Sequence, residues 1–249
     1  MKQSIAGVLC ALGILLPAQA QAAPVQAPRA VPSKAPSFDA RFTAIHRAEW
    51  QWRVAQGLAD DEAERGQVDA DFPRVDAASQ AARLAYWEGT LRQLAAIDPA
   101  RLSARQQLNY QVYHAQIAAF VQALRFREYE APVNADSAFW TDVTYGARQP
   151  FARAQDYRNY LARLGKLPRH FAEHTANLRA GLARGFTPPR VTLQGRDAAL
   201  ASVVDAAPED TVFYTPFKSM PAAIPASEQA ALRAEAVAAI RTQVQPAYA

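Results

Sequence analysis

The chain has 249 residues, 50% hydrophobic and 20% charged, a composition that excludes a mostly disordered protein, a collagen-like repeat and a disulfide scaffold. Its 27 basic and 23 acidic side chains give a formal net charge of +4. The arginines that carry this charge are scattered among acids, so the basic stripe of a nucleic-acid binder is missing and no nucleic-acid partner is expected.

Residues 1–22 read as a secretory signal peptide. Lys2 supplies a positive start, Ile5 to Leu16 is uncharged and mostly apolar, and Pro17 ends the run. Ala18-Gln19-Ala20 or Ala20-Gln21-Ala22 then offers the small residues that cleavage needs. The run is shorter than the roughly 20 residues that span a bilayer, so cleavage rather than anchoring is expected. That places the mature chain in a bacterial periplasm or outside the cell, off the membrane. Cys10 is the only cysteine and lies within the signal, where Gly7-Val8-Leu9 does not match the setting of a lipoprotein cysteine. A processed chain therefore has no disulfide, thiolate ligand or cysteine nucleophile. Residues 23–37, with Pro24, Pro28, Pro32 and Pro36, read as an extended linker.

Residues 38–249 are expected to form one all-α domain, a multi-helix bundle or array with long irregular loops. Ser37 can cap a first helix whose apolar stripe is Phe38, Phe42, Ile45, Ala48, Trp52 and Ala55. Beyond the acidic stretch Asp60 to Asp71, a second helix is predicted from about Asp76 to Ile97. Leu84, Trp87, Leu91 and Leu94 share one of its faces, and Pro99 stops it. Ser103 and Gln106 have capping-box spacing and open a third helix. Leu108, Val112, Tyr113, Ile117, Phe120, Val121 and Leu124 cover much of its circumference, so it is expected at the centre of the core.

Residues 131–152 read as loop and short helix, because the run Phe139 to Tyr145 has helices on both sides and no partner strand. The helical period returns at Ala154 with Tyr157, Leu161 and Leu164, and Gly165 and Pro168 mark a break. The continuation carries Phe171, Leu178 and Leu182 and stops at Gly185, a residue suited to a left-handed helix end. Thr187-Pro188-Pro189-Arg190 makes a corner before an amphipathic stretch to about Asp205, with Leu193, Leu200, Val203 and Val204. A loop marked by Pro208, Pro216, Pro221 and Pro225 holds Phe213, Tyr214 and Phe217, which must bury to leave water. The last helix starts near Ser227 and runs through Leu232, Val237, Ile240 and Val244.

His170-Phe171-Ala172-Glu173-His174 has the H-x-x-E-H form of an inverted zinc-peptidase motif. Two imidazoles four residues apart share a helix face, Glu173 could polarise a bound water, and Glu228 or Glu235 could supply a third ligand. The same residues also suit a helix edge without metal, with His174 beside the Phe171–Leu178 stripe, and this is the preferred reading. His46 and His114 are expected at a core edge or on the surface. Among Trp50, Trp52, Trp87 and Trp140, helical spacing assigns Trp52 and Trp87 to packing. Trp140, beside Asp142 and Tyr145 in an irregular segment, is the aromatic residue most suited to a binding groove. The chain has no G-x-S-x-G, no glycine-rich phosphate loop, no H-E-x-x-H and no cysteine pair, and no catalytic, cofactor-binding or metal residue is assigned.

Asp156-Tyr-Arg-Asn-Tyr-Leu-Ala-Arg-Leu164 and Asn177-Leu-Arg-Ala-Gly-Leu-Ala-Arg-Gly-Phe-Thr-Pro-Pro-Arg-Val191 resemble the bacterial domain of unknown function 885 family. Leu102-Ser-Ala-Arg-Gln-Gln-Leu-Asn-Tyr110 and Phe213-Tyr-Thr-Pro-Phe217 are similar to further pieces of its N-terminal half, and Gly181 to Arg190 is the most specific part. The resemblance implies an exported, mainly helical protein more than twice this length, similar to zincin metallopeptidases. It further implies a zinc-activated water attacking a peptide carbonyl, with ligands from an H-E-x-x-x-G-H-H-like segment and an E-G-W-A-like helix in the C-terminal half. Neither segment occurs here, so no metal residue carries over; zinc is expected only in full-length relatives, and a peptide substrate only for the complete protein. The leading expectation is an N-terminal scaffold portion of a metallopeptidase-like protein, stopped before its catalytic centre and inactive alone. The alternatives are a self-sufficient periplasmic helical binding module and, third, a zinc hydrolase using His170, Glu173 and His174.

Overall fold

The computed structural model describes residues 36–59, 68–134 and 136–249, so the segment read as a signal peptide and nearly all of that read as a linker lie outside the described residues. Ser37 opens helix α1, Phe38–Ala55, by accepting the Ala40 amide at 3.2 Å. Asp76 does the same for α2, Ala77–Ala95, through the Ser79 amide at 2.9 Å. After a 3-10 turn at Pro99–Arg101, α3 spans Ala104–Phe126. These helices bury Phe42, Trp87, Leu94, Ile117 and Val121 in one cluster, each side chain contributing about 2 kcal/mol of hydrophobic stabilisation.

Two expectations fail in this cluster. Ser103 makes no side-chain cap; its amide donates to Asp39 Oδ1 at 3.0 Å, and Gln106 accepts from Asn109 at 2.9 Å. A carboxylate on α1 lies within reach of the helix start, and that long-range partner replaces the local box. Nor is α3 the centre of the core. Tyr113, Ile117 and Val121 are buried, whereas Leu108 and Val112 are 63% and 64% exposed. The long helices packed on α3 are α1 and α2, and they cover one side of it.

A carboxylate lies inside the same cluster. Glu49, 2% exposed, accepts from Arg53 Nη2 at 2.8 Å through both oxygens, from Trp87 Nε1 at 2.9 Å and from the Tyr113 hydroxyl at 3.2 Å. The i,i+4 spacing places Glu49 and Arg53 on one face of α1. Burial of the pair is tolerated because both carboxylate oxygens are engaged. Burial, and then the Glu49 charge, push the Tyr113 phenol well above its ordinary pKa.

The second hydrophobic cluster gathers the elements that follow. Helix α4, Phe139–Asp142, runs into a 3-10 turn at Val143–Arg148, in keeping with the loop-and-short-helix reading. α5, Ala154–Leu164, and α6, Leu167–Ala183, are separated at Gly165 and Lys166, with Pro168 in the first turn of α6. The stretch expected to run to Asp205 is instead two helices, α7, Arg190–Leu193, and α8, Asp197–Val204, because the chain turns at Gly195 with φ +77°. α9, Thr215–Lys218, lies in the proline-marked loop, and Phe213 and Phe217 are buried as their size demands. α10, Ala226–Ala239, passes through a π turn, Ile240–Val244, into α11, Gln245–Tyr248. Pro246 accounts for the widened turn, since its ring removes a donor and crowds the carbonyl four residues back.

Tyr157, Tyr160, Leu164, Leu167, Ile240 and Val244 form the interior of this cluster, so α5, α6 and the last helix, not α3, hold its centre. Leu182, expected on the apolar stripe of α6, is 68% exposed in the last turn. No strand occurs among the described residues, and Val133 and Ala138 form an isolated bridge.

Candidate functional site

One face of α6 organises the site. Residues 170 and 174 lie one turn apart on it, while 169, 173 and 177 form the adjacent row. That adjacent row stitches the extended segment 68–76 to the helix. Glu173 accepts from the Val75 amide at 2.8 Å, from Arg74 Nε at 2.6 Å and from Arg169 Nη1 at 3.2 Å. Asn177 donates to the Val75 carbonyl at 2.7 Å, and Arg169 donates to the Phe72 carbonyl at 2.9 Å. These bonds satisfy a backbone stretch that has no helix or sheet of its own, and they hold Phe72 over His170.

An aromatic ladder results. The Phe72 and His170 rings stack with centroids 4.6 Å apart and 19° between planes, and His174 stacks on Phe139 at 4.4 Å and 13°. The two imidazoles meet edge to face at 4.5 Å. The Arg163 guanidinium lies 4.6 Å from the Phe72 ring centroid. Phe72, Phe139, Asp142, Arg163, His170 and His174 line a pocket of about 400 Å³, together with residues 131–134, Ser137 and Val143. Its volume lies within the ordinary range of ligand sites, roughly 300–1,000 Å³.

Three titratable groups shape the pocket's electrostatics. Burial, the neighbouring His174 and the charge of Arg169 push the His170 pKa down to about 3; burial pushes that of His174 down to about 4. Both rings are therefore neutral near pH 7, and the Nδ1 of each is buried without a hydrogen-bond partner. Partial desolvation raises the pKa of the Asp142 carboxyl, although the residue as a whole is exposed. An unfolded histidine titrates near 6.5, so below that pH the unfolded chain takes up protons that the folded chain refuses. Stability is expected to fall as pH drops from about 6.5 toward 4, by up to about 1.4 kcal/mol per pH unit for each imidazole. Thermal melts at pH 7 and pH 5 check this: His174→Gln should flatten the dependence, and an unchanged slope would refute the assignment.

The H-x-x-E-H residues do not fit a zinc centre. The two imidazoles face the pocket, but Glu173 is turned to the adjacent row and engaged by Arg74, Arg169 and the Val75 amide. Glu228, offered as a third ligand, is paired with Arg158, and Glu235 is exposed. Among the described residues no group of three His, Cys, Asp or Glu side chains is placed to hold a metal ion.

His46 is exposed against Tyr113 and His114 is exposed beside Tyr110, consistent with their core-edge or surface reading. Trp52 stacks on Tyr86 at 3.7 Å, and Trp87 is buried against Phe120. Trp140 backs Phe139 edge to face at 5.1 Å rather than lining the pocket, so the pocket-lining aromatic of this segment is Phe139. Tyr145 is 54% exposed under Arg148. Reading by period missed Phe72, Phe139 and Arg163, each of which reads as ordinary packing or surface. Asn134 carried a faint signal: its side chain accepts the Asp136 and Ser137 amides at 2.7 and 2.8 Å, a turn that favours Asn and places the pocket's rim.

An all-α body with a polar and aromatic pocket beside its larger hydrophobic cluster defines the class of protein. The chain belongs to the DUF885 family, bacterial proteins of unknown function, which matches residues 51–249. In structure it is similar to the crystal structure of a candidate lipoprotein from Colwellia psychrerythraea, with a TM-score of 0.65 and 17% identity. That similarity covers 85% of this chain and 40% of the Colwellia chain, so the chain spans less than half the length of that neighbour. No curated protein matches the sequence.

Proposed function

We propose that this chain is the N-terminal helical scaffold of an exported, metallopeptidase-like protein and forms one wall of its substrate cleft. The observation that carries the reading is the length relation: 85% of this chain matches only 40% of the Colwellia chain. The pocket on α4 and α6 supplies a concave, partly apolar surface of the kind a cleft wall needs. Export is supported by the character of residues 1–22 and by the lipoprotein designation of the neighbour. No helix among the described residues is long and apolar enough to cross a membrane.

The purified chain is expected to hydrolyse no peptide and to retain no stoichiometric zinc after dialysis. Bound zinc that is lost in both His170→Ala and His174→Ala would overturn this in favour of a zinc hydrolase. A second reading, a self-sufficient helical binding module, is favoured by the two hydrophobic clusters that Pro36–Ala249 buries. A single cooperative melt of a monomeric product supports that module; aggregation supports the scaffold portion of a larger body.

A further inference from the structure

The pocket on α4 and α6 has more recognition chemistry than a passive wall requires. Asn134 and Ser137 are spent on their own turn, with Asn134 Nδ2 donating to Ser137 Oγ at 3.0 Å. That leaves Asp142, Arg163, His170 and His174 as the polar groups that face the cavity without a role in forming its rim. Asp142, the last residue of α4, has no ion-pair partner among the described residues. Arg163 presents a guanidinium with five donors, so serving one more acceptor does not require it to be otherwise unengaged. His170 is 6% exposed, and the Nδ1 atoms of His170 and His174 are buried without a hydrogen-bond partner.

We propose that this pocket binds a small zwitterion with an apolar body, a dipeptide or free amino acid whose ammonium meets Asp142 and whose carboxylate meets Arg163 and the paired imidazoles. The walls carry one acid and one base, which matches a ligand with both charges better than a simple anion or cation. The imidazoles add hydrogen bonds without adding charge, and Phe72, Pro73, Pro132, Phe139 and Val143 take the side chain. The volume of about 400 Å³ suits a ligand of one or two residues rather than a long peptide. This inference rests on reading the pocket as the ligand-facing wall, and it names what that wall recognises.

The test uses alanyl-phenylalanine, its N-acetyl derivative and its C-terminal amide, titrated into the purified chain while imidazole NMR signals are followed. The chain has 4 histidines, so His46 and His114, exposed beside Tyr113 and Tyr110 of the other cluster, serve as internal controls. The free dipeptide is expected to shift His170 and His174 alone, and blocking either end should weaken binding about tenfold. Asp142→Asn should bind the free and acetylated forms alike, and Arg163→Gln should bind the free and amidated forms alike. Asp142 is exposed, so its variant keeps the test usable if Arg163→Gln fails to fold. Equal binding of all three ligands at His170 and His174 would overturn zwitterion recognition and leave the cleft-wall reading standing. Shifts confined to His46 and His114, or no shift with any ligand, would overturn the site itself. Retained zinc with peptide hydrolysis would instead overturn the scaffold reading, whatever the dipeptide does.

Discussion

Glu49→Leu is expected to lower the unfolding free energy by about 3–5 kcal/mol, because it leaves the Arg53 guanidinium buried without its partner. Arg53 is 8% exposed and lies against the Phe120 ring at 4.9 Å, so water has little access to compensate it. The Trp87 indole N–H and the Tyr113 hydroxyl lose their acceptor in the same step. Each such orphan costs about 1–3 kcal/mol in isolation, though the losses overlap within one network. Adding Arg53→Met removes the stranded charge and should recover most of the loss. Urea unfolding followed by tryptophan fluorescence measures both variants. A loss below about 1 kcal/mol in the single variant would show that the pair behaves as a surface ion pair.

The second large effect is expected at Gly181. A Cβ there would stand 2.5 Å from the Glu130 carbonyl oxygen and 2.8 Å from that of Phe186, both backbone atoms. Neither can yield cheaply, because Glu130 lies in the 3-10 turn clamped by Arg184, and Phe186 donates its amide to the Gly181 carbonyl at 2.8 Å. Gly181→Ala should therefore cost about 3 kcal/mol and loosen the contact between the end of α6 and the turn Glu128–Glu130. Gly185 provides the control. It has φ +75° and open space where a Cβ would go, so Gly185→Ala meets only backbone strain of about 1–2 kcal/mol. Thermal melts of the two variants rank them, and a larger loss at Gly185 would contradict the close approach at Gly181.

These two glycines give a physical reason for the most specific stretch of family resemblance, Gly181 to Arg190. Gly185 ends α6 in a left-handed conformation, its amide bonding the Leu182 carbonyl at 3.1 Å while that of Phe186 bonds Gly181. That role is readable from a glycine following a helical run. The role of Gly181 is not, because the closest of the two atoms that exclude a side chain belongs to residue 130, about fifty positions away along the chain. The same contrast separates Asp76, whose capping partner is Ser79, from Ser103, whose amide goes to Asp39 on another helix.

The candidate site shows the limit more sharply. The one-turn spacing of His170 and His174 placed both imidazoles on one face, and the structure keeps them there. The metal reading needed Glu173 to join them, and its carboxylate is taken by Arg74, Arg169 and the Val75 amide. Arg74 and Val75 come from a segment with no helical or strand period, so nothing in the local pattern marks it as a partner.

By itself the sequence determined the helical class, the cap at Ser37, the start of the second helix near Asp76, the stop at Gly185, and the burial of Phe213 and Phe217. Each is settled within a turn or two of chain, or by the cost of leaving large apolar groups in water. Only the tertiary structure decided that α3 keeps an open apolar face, that the α5–α6 region holds the centre, and that residues 72, 139, 142, 163, 170 and 174 share one cavity. Those outcomes depend on which elements pack against which, and a hydrophobic period says that a face must be covered without saying by what.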